Sequence, residues 1–348
     1  MTDSGIFVYV SNAGSREISV MRLDAENGDL TQVQNVSVTG KVMPMAVSPD
    51  RRYLYAVLRT EPYSVASFAV DQLSGKLTHL ANTQMPESMP YICTDRTGRF
   101  LLGVVNPERK EKEPRSGQIL VSPIGSQGIV QPPHQIVRTE PQTHGILPDP
   151  SNRYVFVTSL DWDLILRQIF DADTGRFSPN PLPPVRIKPK AGPRHFVFHP
   201  NNRFLYLINE LDGTVYTFAY DISAGALNEL QTISALPPDF GDQKALASDL
   251  HITPDGRFLY ASERASSTLA IFKVDLVNGI LTLVGNIPTE KAPRGFNIDP
   301  YGRYLLTVGR HSHSMTSYSI NRETGNLTKL KQYGMGKDPN WIEIVRLR

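Results

Sequence analysis

One phrase recurs along this chain and constrains its fold more than any other feature. It runs from a turn of small or polar residues through an Arg and an aromatic into an apolar stretch. It reads SPDRRYLYAV (48–57), TDRTGRFLLGV (94–104), PDPSNRYVFVT (148–158), HPNNRFLYLI (199–208), TPDGRFLYAS (253–262) and DPYGRYLLTV (299–308). The Arg stands at 52, 99, 153, 203, 257 and 303. A period of about 50 residues marks a repeat architecture. One step back from Tyr53 lies Phe7, in IFVYVSN (6–12), the same run without its lead-in.

Each phrase is followed by an alternating run, such as VASFAVD (65–71) or LAIFKVD (269–275), and then by a Gly turn and a third run, such as SGKLTHLA (74–81) or TGNLTKLK (324–331). A fourth run precedes it, as in PRHFVFHP (193–200) and PRGFNIDP (293–300). Period-two alternation, strand-type residues and Gly/Asp/Asn turns predict β-strands, and no 3.6-residue periodicity predicts a helix. Four antiparallel strands repeated radially describe a blade of a β-propeller. The Gly-His and Trp-Asp signature of WD40 repeats is absent. The chain begins in a second strand, IFVYVSN, and ends in PNWIEIVRL (339–347), which reads as a first strand. Pairing the two completes a seventh blade and closes the ring, which removes free sheet edges. A length of 348 residues would otherwise suggest two domains. The repeat predicts instead an all-β, seven-bladed β-propeller as a single domain over 1–348.

Composition narrows the partners. Lys+Arg 36 against Asp+Glu 34 leaves a net charge of +2, which gives no bulk electrostatic case for nucleic acid or anionic membrane. One cysteine, Cys93, excludes an intrachain disulfide framework and any multi-Cys metal site; it reads as a small core residue. The first twenty residues lack a basic start followed by an apolar run, and no apolar stretch approaches the ~18 residues of a membrane span. The expected compartment is the cytoplasm. The oligomeric state stays open between monomer and homodimer.

In a propeller the first strand of each blade lines the central channel, and its start meets the end of the second strand on one face. First-strand starts give Met43, Met89, His144, Arg194–His195, Asp249, Arg294 and Asn340. Second-strand ends give Asn12, Arg59, Asn106, Asp161, Glu210, Arg264 and Arg310. Five Arg, two His and three carboxylates thus converge on one predicted mouth of a near-neutral protein. Arginine forks match carboxylate and phosphate oxygens, so a small anionic ligand is expected. Strand alternation predicts that only one of Arg194 and His195 faces the channel, and that Asp249 and His251 share a side. Asn297 is taken as a further substrate contact. His311 and His313 lack an evident third ligand, so no metal is expected there. The run NPERKEKEPRSGQ (106–118) reads as an exposed, mobile insertion on the mouth side and a candidate lid.

The stretches AGPRHFVFHPNNRFLYLINEL (191–211), DLHITPDGRFLYASERASS (249–267) and PRGFNIDPYGRYLL (293–306) resemble the lactonase seven-bladed propeller family. That family includes bacterial propeller-type 6-phosphogluconolactonases and the fungal carboxy-muconate lactonizing enzyme. VYVSNAGSREISV and VMPMAVSPDRRYLYAVLR (42–59) fit the phosphogluconolactonase branch, and the likeness runs nearly the whole chain. The resemblance implies a metal-free and cofactor-free site of one His, two Arg and one Glu. Motif by motif these fall on His144 of THGILPD, Arg194 of GPRH, Glu210 of NEL and Arg264 of SERAS. It implies hydrolysis of a sugar-acid lactone, foremost 6-phosphoglucono-1,5-lactone. His144 would act as base and Glu210 as its orienter, or the reverse, while Arg194 and Arg264 hold the oxyanion. Arg59, His195, Asp249, His251, Arg294 and Asn297 would supplement substrate binding. The alternatives are another lactone, a muconate-type cycloisomerase, or a silent scaffold for protein partners.

Overall fold

The computed structural model describes residues 5–105, 117–140 and 142–348. Its strands form seven antiparallel sheets in a ring. Blade 1 consists of Val42–Val47, Tyr53–Leu58, Ser64–Val70 and Leu77–Gln84; blade 2 of Tyr91–Thr94, Phe100–Val105, Gly117–Pro123 and Gln135–Thr139. Blade 3 runs Thr143–Pro148, Tyr154–Ser159, Leu164–Asp171 and Arg176–Pro179, with Val185–Arg186 added beside its third strand. Blades 4, 5 and 6 begin with the inner strands Pro193–Phe198, Ala247–Ile252 and Pro293–Ile298. In blade 7 the inner strand Pro339–Arg346 pairs antiparallel with Ile6–Asn12, so the ring closes across the two ends as the sequence predicts. Of the insertion, 106–116 lies outside the described residues, as does its Asn106; Gly117 and Gln118 already belong to a strand.

The apolar side chains do not make one core. They make seven, each filling the space between two neighbouring blades. A middle strand therefore has a hydrophobic neighbour on both faces, and Phe204–Asn209 and Phe258–Glu263 are buried along their whole length. This is why the second strands read as continuous apolar runs rather than as clean alternation.

The recurring phrase has a physical basis in this packing. The turn acid caps the hairpin: Asp149 Oδ1 accepts from the backbone N–H of Arg153 and Tyr154, and Asp299 Oδ1 does the same for Arg303 and Tyr304. The following Arg stacks over its aromatic neighbour, as Arg153 does on Tyr154 and Arg203 on Phe204. The aromatic in turn packs against a hairpin glycine of the next blade. At Gly175 (φ 65°) a Cβ would stand 2.1 Å from Phe100, so both the backbone angle and the close approach require glycine. The same contact recurs around the ring as Gly75–Phe7, Gly128–Tyr53, Gly225–Tyr154, Gly279–Phe204, Gly325–Phe258 and Gly28–Tyr304.

Candidate active site

The site is made by an irregularity at the start of the inner strands. In six blades the pairing between first and second strands slips by one residue there: at Val42/Met45, Thr143/Ile146, Pro193/His195, Ala247/Leu250, Pro293/Gly295 and opposite Ser11/Asn12. A β-bulge re-aims the extra side chain out of the ladder. In blades 4, 6 and 7 that extra residue is Arg194, Arg294 and Asn340. Hydroxyls tie successive bulges together. Thr158 accepts from Gly145 N–H at 2.8 Å and donates to Arg194 O at 2.7 Å, and Ser248 donates to Arg294 O at 2.7 Å.

The bulge corrects the expected alternation: Arg194 and His195 both reach the site. The His195 ring meets Tyr91 of blade 2, His144 of blade 3 and Trp341 of blade 7 at centroid distances of 5.0, 5.1 and 5.8 Å. Inner strands that are not neighbours in the ring can share contacts only across the central channel. Arg194 is 1% exposed; its Nε donates to Glu210 Oε2 at 2.7 Å, and its Nη1 lies 3.1 Å from His195 Nε2 and also donates to Ser248 O. Arg264 Nη2 pairs with the other oxygen, Glu210 Oε1, at 3.0 Å, and Arg264 Nε donates to Leu246 O at 2.8 Å. Glu210 is thus a bridge between two guanidiniums and has no bond to His144. Burial alone would raise its pKa, but Arg194 and Arg264 hold it below the usual carboxylate range. Each arginine keeps one terminal nitrogen, Arg194 Nη2 and Arg264 Nη1, without a partner among the described residues.

His144 is buried and Nδ1 is enclosed without a hydrogen-bond partner. Burial, then the charges of Arg194 and its neighbours Arg294 and Arg264, push its pKa well down, so it is a neutral imidazole. Arg294 is the bulge residue of blade 6, and its guanidinium meets no carboxylate among the described residues. Burial, then the charges of Arg194, Arg264, Arg310 and Arg59, press its pKa well below the ordinary value. An arginine does not give up its proton in a protein. The strain therefore stands as an attraction for an anion. Arg310 is held bidentately by Asp338 at 2.5 and 3.1 Å, and Arg59 donates to Ser88 Oγ at 2.7 Å.

Asp249 and His251 do share a side of their strand. Asp249 Oδ1 accepts from His195 Nδ1 at 2.8 Å, and its Oδ2 lies 3.3 Å from His251 Nε2. Asn297 departs from its expected role: its amide donates to Ile342 O at 3.0 Å and its oxygen accepts from Ile298 N–H at 2.8 Å, so it joins two inner strands. Asn12 and Asp161 also leave the predicted mouth. Asn12 is buried and bonds Ser19, while Asp161 is in an exposed turn. The mouth position directly follows the second strand, as at Arg59, Glu210, Arg264 and Arg310, and there these blades carry Ala13 and Leu160. Three channel residues escaped the sequence reading: Tyr91, Trp341 and Glu343. Trp341 Nε1 donates to Glu343 Oε1 at 2.8 Å, and burial pushes the Glu343 carboxyl up to about 7. An acid two residues beyond a Trp on an inner strand was the available signal. Among the described residues no group of three or more His, Cys, Asp or Glu is placed to hold a metal ion.

The family model of the seven-bladed β-propeller lactonases matches residues 5–344. The chain belongs to this lactonase family. It is 40% identical to a 6-phosphogluconolactonase of Pectobacterium carotovorum subsp. carotovorum over 98% of both chains. It is 37% identical to a 6-phosphogluconolactonase of Yersinia pseudotuberculosis over 97% of both. Among solved structures, the periplasmic gluconolactonase of Pseudomonas aeruginosa superposes with a TM-score of 0.89 at 26% identity, covering 99% of each chain. As a lactonase, this protein is a lactone-hydrolysing enzyme.

Proposed function

We propose that the lactone opened here is 6-phosphoglucono-1,5-lactone, hydrolysed to 6-phosphogluconate at the channel mouth of one propeller domain spanning 1–348. The observation that carries this reading is Arg294, a guanidinium among guanidiniums that meets no carboxylate among the described residues. A phosphate dianion seated on Arg294 and Arg59 would offset that repulsion. The Pectobacterium and Yersinia relatives, named for this reaction, support it.

In this reading His144 is the general base. It carries no partner that would have to be displaced, whereas Glu210 is engaged by two arginines. His144 takes a proton from water as the oxygen attacks the lactone carbonyl. The free arms of Arg194 and Arg264 receive the oxyanion, a contribution typically of about 3–4 kcal/mol per donor. The proton on His144 then passes to the departing ring oxygen, and the new carboxylic acid gives its remaining proton to solvent and leaves as a carboxylate. A bound anion also weakens the guanidinium field that suppresses His144 basicity, so substrate binding strengthens its own base. No step needs a metal or cofactor.

The second reading is an unphosphorylated aldonolactone, favoured by the Pseudomonas gluconolactonase. Steady-state kinetics on 6-phosphoglucono-1,5-lactone and on glucono-1,5-lactone separate the two. Equal kcat/KM on both would reject phosphate recognition. The cytoplasm follows as the proposed compartment, because a phosphorylated sugar acid does not cross membranes unaided. Among the described residues no helix is long and apolar enough to span one.

A further inference from the structure

Three polar side chains that the proposed hydrolysis does not use are joined in a row at the site: His195, Asp249 and His251. Burying such a chain is not a route to stability, since apolar residues of similar volume often serve as well or better. Its order is informative. Burial would raise the Asp249 pKa, but His251 and the hydrogen bond from His195 hold it well below the carboxylate range, so Asp249 accepts and does not donate. His195 Nδ1 must then carry the imidazole proton, which leaves Nε2 as its one lone pair. Burial and Arg194 push the His195 pKa down to about 4, so that lone pair persists at neutral pH. Arg194 Nη1 lies 3.3 Å from Nδ1 and 3.1 Å from Nε2, so it stands over the face of this neutral ring. Edge contacts from Tyr91 and Trp341 and a tilted contact from His144 hold the ring in place.

Resting on the reading that Arg194 faces the reacting carbonyl, we infer that His195 is a positioning residue for lactone opening: Asp249, braced by His251, holds its ring so that its face supports the Arg194 guanidinium. Glu210 on Nε, Ser248 O on Nη1 and the face of His195 fix the guanidinium plane, and Nη2 is left without a partner among the described residues. A neighbour that holds a side chain in this way acts on geometry rather than on affinity.

The test is a double-variant cycle with the wild-type enzyme's preferred lactone. His195→Ala is expected to lower kcat about 30-fold with KM within twofold, and His195→Phe, which keeps a ring face under the guanidinium, to restore kcat to within about threefold. In an Arg194→Ala background, His195→Ala is expected to remove less than a further twofold. Should His195→Ala not fold, His195→Asn keeps a donor for Asp249, removes the ring face and carries the same expectation. Losses that multiply with those of Arg194→Ala, or a His195→Ala enzyme within threefold of wild type, would overturn the positioning role. An Arg194→Ala enzyme with full activity would instead overturn the reading of Arg194 itself.

Discussion

The two halves of the channel mouth share one blade architecture and differ in chemistry. Blades 3 to 6 present His144, Arg194, Asp249 and Arg294 at the starts of their inner strands. Blades 7, 1 and 2 present Asn340, Met43 and Met89 at the matching places. Asn340 is wholly buried, with Nδ2 donating to Asp338 O at 2.9 Å, and Met89 is buried as well. Met43 lies 3.3 Å from Arg59, the guanidinium that blade 1 lends to the other side. Repetition thus supplies seven equivalent positions, and the sequence places ionisable groups on a contiguous arc. Charges on one arc act on a single small molecule, while charges spread around the ring would act on none.

That contrast can be broken most severely at its oxyanion arm. Arg194→Ala is expected to lower kcat on the order of 10²–10³-fold, and His144→Ala on the order of 10²-fold, both read by steady-state kinetics at constant folded fraction. Losses below tenfold for both would dissolve the assigned roles. Arg294→Met copies the neutral half's chemistry into the charged half. It should raise KM for the phosphorylated lactone about 10–30-fold and leave glucono-1,5-lactone within about threefold. The pH profile sharpens the comparison further. His144 is held below its usual pKa in the free enzyme, and activity falls with acidification as it takes up a proton. The acid limb of kcat/KM should therefore lie below pH ~6.5, and that of kcat at higher pH, because the bound anion offsets the guanidiniums. Coincident limbs would remove the coupling. The smallest effect belongs to the neutral arc: Met43→Leu should change kcat/KM by less than about twofold.

Blade number, strand order and ring closure were legible because each depends on spacing and alternation, which survive in a linear string. His144, Arg194, Glu210 and Arg264 were legible for the same reason, as strand starts and ends. The bulge was not. Nothing in GPRH announces that the ladder slips at Arg194, so alternation misplaced one of the two neighbours. Asn297 was misjudged because an amide facing the channel looks the same in sequence whether it meets a ligand or the carbonyl of Ile342. Tyr91 and Trp341 looked like ordinary strand aromatics. Their contact with each other, at 5.2 Å between centroids, joins blades far apart in sequence.

The glycine–aromatic contacts all run in one rotational sense, each blade pressing its third hairpin onto the aromatic of the blade before it. Gly75 on Phe7 and Gly28 on Tyr304 carry that sense across the chain ends without interruption. Energetically the circle has no origin. Joining the present ends and opening the backbone between blades 4 and 5 would leave every such contact, and the charged arc with it, in place.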